Sequence, residues 1–240
     1  MKKIHLLYII ICITLFSFFF SVHGFAANLS VGVSTWYTSW DIAVEQNQGG
    51  GIIKTDRGLM YGPVLSVNVM DNWSISGVFL YGEFKNPEYS RGTADFGNFK
   101  RYDFDGTINY GLTNFLKIFI GGKYVKFDFL VSNQDASYYM YGPGAGASVI
   151  FNIVDNLYFT ANTSYVYMKG KAELVDSSSS MITKGINSSA SLGYYFASTS
   201  VTVYIGGRYQ RLFEDRKVED SFKYHEMMGV TAAATYSFML

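Results

Sequence analysis

From Asn28 onward the chain alternates apolar and polar side chains at a period of two, the spacing that puts successive residues on opposite faces of a β-strand. Ten such segments lie near residues 28–40, 58–70, 73–84, 101–112, 116–129, 138–153, 157–169, 184–196, 201–213 and 223–240. Each approaches or exceeds the roughly 9–11 residues with which a tilted strand crosses an outer membrane. In "RYDFDGTINYGL", Tyr102, Phe104, Ile108, Tyr110 and Leu112 fall on one face, while Arg101, Asp103, Asp105, Thr107 and Asn109 fall on the other. One face suits lipid and the other water. The connections alternate too: Asp71-Asn72, Thr113-Asn114-Phe115, Asp155-Asn156 and Ala197 to Ser200 are short, whereas 41–57, 85–100, 131–137, 170–183 and 214–222 are longer and polar. Tight turns at one end and longer loops at the other are how transmembrane barrels join their strands. The pattern predicts an all-β fold, a closed antiparallel up-and-down transmembrane β-barrel of ten strands, with eight as the alternative count.

A soluble sandwich also alternates, so aromatic placement is the discriminating feature. Tyr37, Tyr61, Tyr81, Tyr102, Tyr124, Tyr141, Tyr167 and Tyr209 fall toward the long-loop ends on the proposed outer face. Trp73, Tyr110, Phe151, Phe196, Tyr236 and Phe238 fall toward the short-turn ends. Two aromatic girdles separated by aliphatic residues are expected where amphipathic rings meet both membrane interfaces.

The N-terminus adds a compartment. Lys2 and Lys3 precede an apolar run from Leu6 to Phe20 and then small residues at Gly24, Ala26 and Ala27. This is the layout of a cleavable secretory signal, and the expected organisation is a signal over 1–26 and a single barrel domain over 27–240. Cleavage would remove the only cysteine, Cys12, together with His5 and His23, leaving His225 as the one histidine. Disulfides, zinc and Cys–His catalysis are thereby excluded, and no cofactor or metal is expected. Without Lys2 and Lys3 the chain is slightly acidic, which gives no reason to expect a nucleic-acid partner.

Two echoes run through the barrel. "MYGP" occurs at 60–63 and 140–143, and "IFIGGKYVKF" at 118–127 matches "VYIGGRYQRL" at 203–212, as two diverged four-strand units would. Proline removes a ladder hydrogen bond and a closed barrel has no edge, so Pro63 and Pro143 are expected at the rim, where water or a bulge can serve the orphaned carbonyl. Gly121 and Gly206 should face inward and leave space. Gly122 and Gly207 should face lipid, covered by the rings of Tyr124 and Tyr209. Pairing Leu112 with Leu116 sets Asn109 opposite Phe119, Thr107 opposite Gly121 and Asp105 opposite Lys123, a charge pair inside the barrel.

The terminal "TYSFML" is similar to the closing strand of bacterial outer-membrane barrels, with Leu240 in place of the usual final aromatic. That resemblance covers the mature chain as an architecture. It implies residence in the outer membrane of a Gram-negative bacterium, contact with outer-membrane lipid and lipopolysaccharide, and insertion by the barrel-assembly machinery. Inward charges gather at Arg101, Asp103, Asp105, Lys123, Arg208 and His225. The functional expectation is a narrow passive channel for small polar solutes, with that cluster as its constriction. The competing expectation for the same charges is an ion-pair network that locks the strands together.

The alternative function is a sealed, surface-exposed structural or adhesive barrel acting through its extracellular loops. A barrel-type hydrolase is the third class. Ten strands resemble the omptin surface proteases in number, and Asp103 and Asp105 imitate their acidic pair, but no second motif accompanies His225. The "YHEMMG" stretch also lacks the serine of the His-x-Ser barrel deacylases. The expectation is therefore not an enzyme. Trp36 and Trp40, beside the first long loop, are expected to pack at the rim, in preference to forming a sugar-stacking platform.

Overall fold

The computed structural model describes residues 28–45, 51–85, 87–89, 97–131, 134–174, 177–215 and 221–239; the expected signal over 1–26 lies outside the described residues. The strands are β1 (Asn28–Glu45), β2 (Gly51–Lys54), β3 (Gly58–Met70), β4 (Trp73–Phe84), β5 (Glu88–Tyr89), β6 (Phe99–Gly111), β7 (Leu116–Val131), β8 (Gln134–Val154), β9 (Leu157–Leu174), β10 (Ser177–Phe196), β11 (Val201–Asp215) and β12 (Ser221–Met239). Ten of them form an antiparallel ring in the order β1, β3, β4, β6, β7, β8, β9, β10, β11, β12, and β12 pairs back onto β1 from Asn28↔Met239 to Glu45↔Ser221. The ring is closed, so among the described residues its ten strands form a wall without a terminal strand. Outside it, β2 pairs with the upper part of β1 and carries β5 on its far side.

Several strands run further toward the long-loop end than polarity suggests. β8 starts at Gln134, β9 continues to Leu174 and β10 starts at Ser177, so the loops expected over 131–137 and 170–183 are largely strand. The reason is that the alternation inverts instead of ending. In the lower wall Leu65, Ile75, Ile108, Ile120 and Ile205 face outward and are exposed. In the upper extension Phe129, Ala136, Tyr138, Ala172 and Met181 face inward and are buried, while Lys126, Asp128, Lys171 and Glu173 sit on the outer face. The lower part is patterned for lipid outside and water inside, and the upper part like a water-soluble barrel with an apolar core.

The aromatic girdles are present. On the upper outer face Tyr61 meets Tyr81 at 6.2 Å and Tyr81 meets Tyr102 at 5.1 Å between ring centroids, and at the short-turn end Trp73 meets Tyr110 at 4.8 Å.

The two Met-Tyr-Gly-Pro steps lie within the wall, not at its rim. Ladder β3–β4 passes from Tyr61↔Tyr81 to Val64↔Val78, and β8–β9 from Tyr141↔Lys169 to Gly144↔Val166. Each Gly-Pro step therefore interrupts pairing toward one neighbour. On the other side Pro63 stays opposite Val33, and Pro143 opposite Gly122. The register is the same above and below each gap, so no bulge is involved. The missing proline N–H is absorbed as a break in one ladder only.

The glycines also differ from expectation. A Cβ on Gly121 would lie 2.1 Å from the Gly106 carbonyl oxygen, and one on Gly206 2.1 Å from that of Ala190. These inward glycines leave no spare space; they let neighbouring backbones approach as the strands coil around a narrow ring. Outward Gly122 is the reverse, since a Cβ there would meet nothing within 4 Å, and the Tyr124 ring does not cover it.

Candidate functional site: a braced and filled lumen

The β6–β7 register sets Asp105 opposite Lys123, Thr107 opposite Gly121 and Asn109 opposite Phe119, as the hairpin arithmetic requires. Lys123 Nζ donates to both Asp105 oxygens, at 2.9 and 3.0 Å, and to Asp103 Oδ1. From the far wall Arg208 Nη2 donates to Asp105 Oδ2 at 2.8 Å, and its Nε donates to Asn187 Oδ1 at 3.2 Å. Arg101 Nη2 donates to Asp103 Oδ2 at 3.1 Å and to Gln210 Oε1 at 2.6 Å. β6 and β11 lie five places apart in a ring of ten, which makes them diametrically opposite. The cluster is therefore a brace across the lumen. Lys123 and Arg208 occupy corresponding positions of the repeated "IGGKY" and "IGGRY", and both close on Asp105.

Each brace arginine lies over an indole: Arg101 is 4.9 Å from the Trp40 ring centroid and Arg208 is 4.6 Å from that of Trp36. Both tryptophans are fully buried inside the barrel, which corrects the expectation that they pack at the rim. Their inward position was available from parity, because Trp36 and Trp40 share a face with Ser30, Gly32 and Ser34.

Above the brace the lumen is filled. Trp40 meets Phe84 at 5.3 Å, Phe99 at 5.4 Å and Phe127 at 5.1 Å, all edge to face. Met60, Met140, Met168, Met227 and Leu212 are buried in the same cluster. His225 belongs here and not to the ion cluster. It is hydrogen-bonded to Glu214 at 2.6 Å and lies 5.2 Å from the Phe127 ring, which projects from the diametrically opposite strand. Aromatic contacts of this length cross the diameter of the barrel at that level. Glu214 and Gln210 were not singled out from sequence, although each lies on the inward parity of β11 with Arg208.

Below the brace the interior is polar and open. A cavity of about 510 Å³ is bounded above by Asp105 and Arg208 and lined by hydroxyls and amides such as Ser66, Asn109, Thr160, Asn162, Ser189 and Thr231. It occupies the short-turn half of the barrel. On the outer face of the extension, Lys126 pairs with Asp128 and Lys171 with Glu173. In each pair the hydrogen bond to the carboxylate holds the ammonium above the usual lysine range.

The closed ring, its apolar outer belt and the two girdles define an outer-membrane β-barrel protein. Neither a scan against protein-family models nor a search of curated proteins gives a match. Solved structures do match. The outer-membrane protease OmpT from Escherichia coli aligns with a TM-score of 0.56 at 10% sequence identity, over 89% of this chain and 97% of that one. The translocator domain of the autotransporter NalP from Neisseria meningitidis aligns with a TM-score of 0.47 at 11% identity, covering 91% and 90%. Neisserial surface protein A aligns with a TM-score of 0.44 at 12% identity, covering 88% and 97%. At such identities the likeness to OmpT is one of fold.

Proposed function

We propose that this protein is a sealed outer-membrane barrel that acts at the cell surface through its outer extension and connecting loops, as a structural or adhesive element. The observation that carries the reading is the filled upper lumen, in which Trp40, Phe84, Phe99 and Phe127 close above the Arg101–Asp103–Lys123–Asp105–Arg208 brace. A solute constriction needs charges bathed in water along a continuous path. Here Arg101, Asp103 and Lys123 are almost wholly shielded, which supports a structural network over a selectivity filter. The same geometry supports a non-enzymatic role, because Asp103 and Asp105 are both held by Lys123, and His225 is buried with Glu214 beside Trp40 and Phe127.

Two assays separate this reading from a channel. Liposomes carrying the refolded protein should swell in iso-osmotic sugar or amino acid no faster than empty ones, and porin-like swelling would contradict the seal. On cells lacking the gene, surface attachment should be restored by the wild type and not by a chain whose residues 46–50 and 216–220 are replaced by Gly-Ser linkers. Equal restoration by both would remove the surface role.

A further inference from the structure

We infer that the lipid-facing wall over β4, β6, β7 and β8 is a binding groove for the phosphorylated, multiply acylated glycolipid of the outer leaflet, the lipid A part of lipopolysaccharide. The registers Gly77↔Gly106, Gly106↔Gly122 and Gly122↔Pro143 set three glycines and a proline side by side on four neighbouring strands. All four point outward. An added Cβ would meet nothing within 4 Å at Gly122 and nothing nearer than 3.8 Å at Gly77, so packing does not require glycine there as it does at Gly121. The missing side chains leave a concave apolar surface of about 1300 Å³, walled by Leu65, Phe79, Ile108, Ile120 and Tyr165.

Through Phe104, Gly122, Pro143 and Tyr167 this groove continues into a second hollow of about 770 Å³ that reaches Lys169. Lys169 is exposed and has no anionic partner among the described residues, whereas its neighbours Lys126 and Lys171 are paired. Lys184 is opposite Tyr167 in the sheet, with its ammonium 5.8 Å from that ring. The wall thus presents an acyl-sized trough that rises to Lys169 at the long-loop end, with Lys184 beside it across Tyr167. Hydrocarbon alone makes no use of the lysines, and a soluble anion makes no use of the trough. A ligand with anionic phosphate above and acyl chains below satisfies both. Because the lysines lie on the long-loop side, the matching leaflet is the outer one, whose phosphorylated lipid is lipid A. The groove lies on the outside of the ring and is independent of whether the lumen is sealed.

The test is native mass spectrometry of the refolded full mature chain after incubation with hexa-acylated, bis-phosphorylated lipid A and stepwise delipidation. Folding of each variant is checked by the mobility difference between unboiled and boiled samples on a denaturing gel. Wild type should retain one lipid A, and retention should fall several-fold in Lys169→Gln/Lys184→Gln and in Gly122→Leu, which fills the trough. Gly207→Leu, which adds the same bulk to an outward glycine away from the groove, should bind as wild type does. Lipid A stripped of phosphate should bind the wild type as weakly as intact lipid A binds the double lysine variant. Undiminished retention in folded Gly122→Leu and Lys169→Gln/Lys184→Gln would overturn the assignment. Equal retention of phosphatidylglycerol, or a dimer abolished by Gly122→Leu, would also overturn it, in favour of a phospholipid or a second copy of the chain.

Discussion

Lys123→Met removes the cation at the centre of the brace while nearly conserving volume. In the native lumen Lys123 serves both carboxylates, so its loss leaves Asp103 with Arg101 as its remaining cationic partner at 3.1 Å, and Asp105 with Arg208 at 2.8 Å. The Asp103 side chain is 1% exposed and water cannot replace the lost partner; breaking one side of such a buried pair costs about 3–5 kcal/mol. The Asp105 side chain is 20% exposed toward the polar cavity, so its share is reduced by screening. Asp105→Asn is the milder change, because Lys123 keeps Asp103 and an amide can still accept a hydrogen bond; about 1–3 kcal/mol is expected. Were the cluster a hydrated constriction, both variants would fall within about 1 kcal/mol of wild type. The assay is urea or guanidinium unfolding in phospholipid vesicles, followed by tryptophan fluorescence, to which buried Trp36 and Trp40 contribute, and by gel mobility. A Lys123→Met variant as resistant as wild type, or less affected than Asp105→Asn, would refute the argument that the brace is buried.

Three further outcomes follow from the same geometry. Trp40→Ala removes the ring at the centre of the aromatic cluster and should cost about 3–5 kcal/mol in the same unfolding assay, with a loss under 1 kcal/mol showing that the cluster is loosely packed. Gly121→Ala should abolish the folded, heat-modifiable gel band because its Cβ meets a carbonyl oxygen at 2.1 Å, whereas Gly207→Ala, with its nearest neighbour at 3.8 Å, should fold normally; equal behaviour would refute the close-approach reading. A protease site inserted within 46–50 should be cut on intact cells and one between Asp71 and Asn72 should not, and the reverse pattern would invert the topology.

Much of this architecture is legible in the sequence because membrane barrels write period-two alternation over every strand. The β3 and β4 boundaries match the alternation, and the Asp105–Lys123 pair follows from one turn and one register. The outer extension is harder to see. Once strands leave the membrane, their outward residues become Lys126, Asp128, Lys171 and Glu173, and a polarity count reads those stretches as loops although the parity of Phe129, Ala136 and Ala172 continues. The members of the ion cluster could be chosen individually, but their convergence could not, because it depends on β6 facing β11 across a ring of defined strand number. His225 shares the inward parity of the charges, and only its height along β12 separates it from them and sets it beside Glu214 and Phe127. Parity likewise does not reveal that, of the adjacent Gly121 and Gly122, one is forced by strand coiling and the other opens the outer wall.

The central claim, that the upper lumen is closed by its own side chains, is tested most directly by planar-bilayer recording of the refolded protein beside a control porin. Wild type should insert without ohmic steps, while Trp40→Ala/Phe84→Ala/Phe99→Ala/Phe127→Ala, verified as folded by gel mobility, should pass measurable current through the vacated core. Stable, stepwise conductance from the wild type, with selectivity that shifts in Asp105→Asn, would contradict the account and identify the brace as the constriction of an open channel.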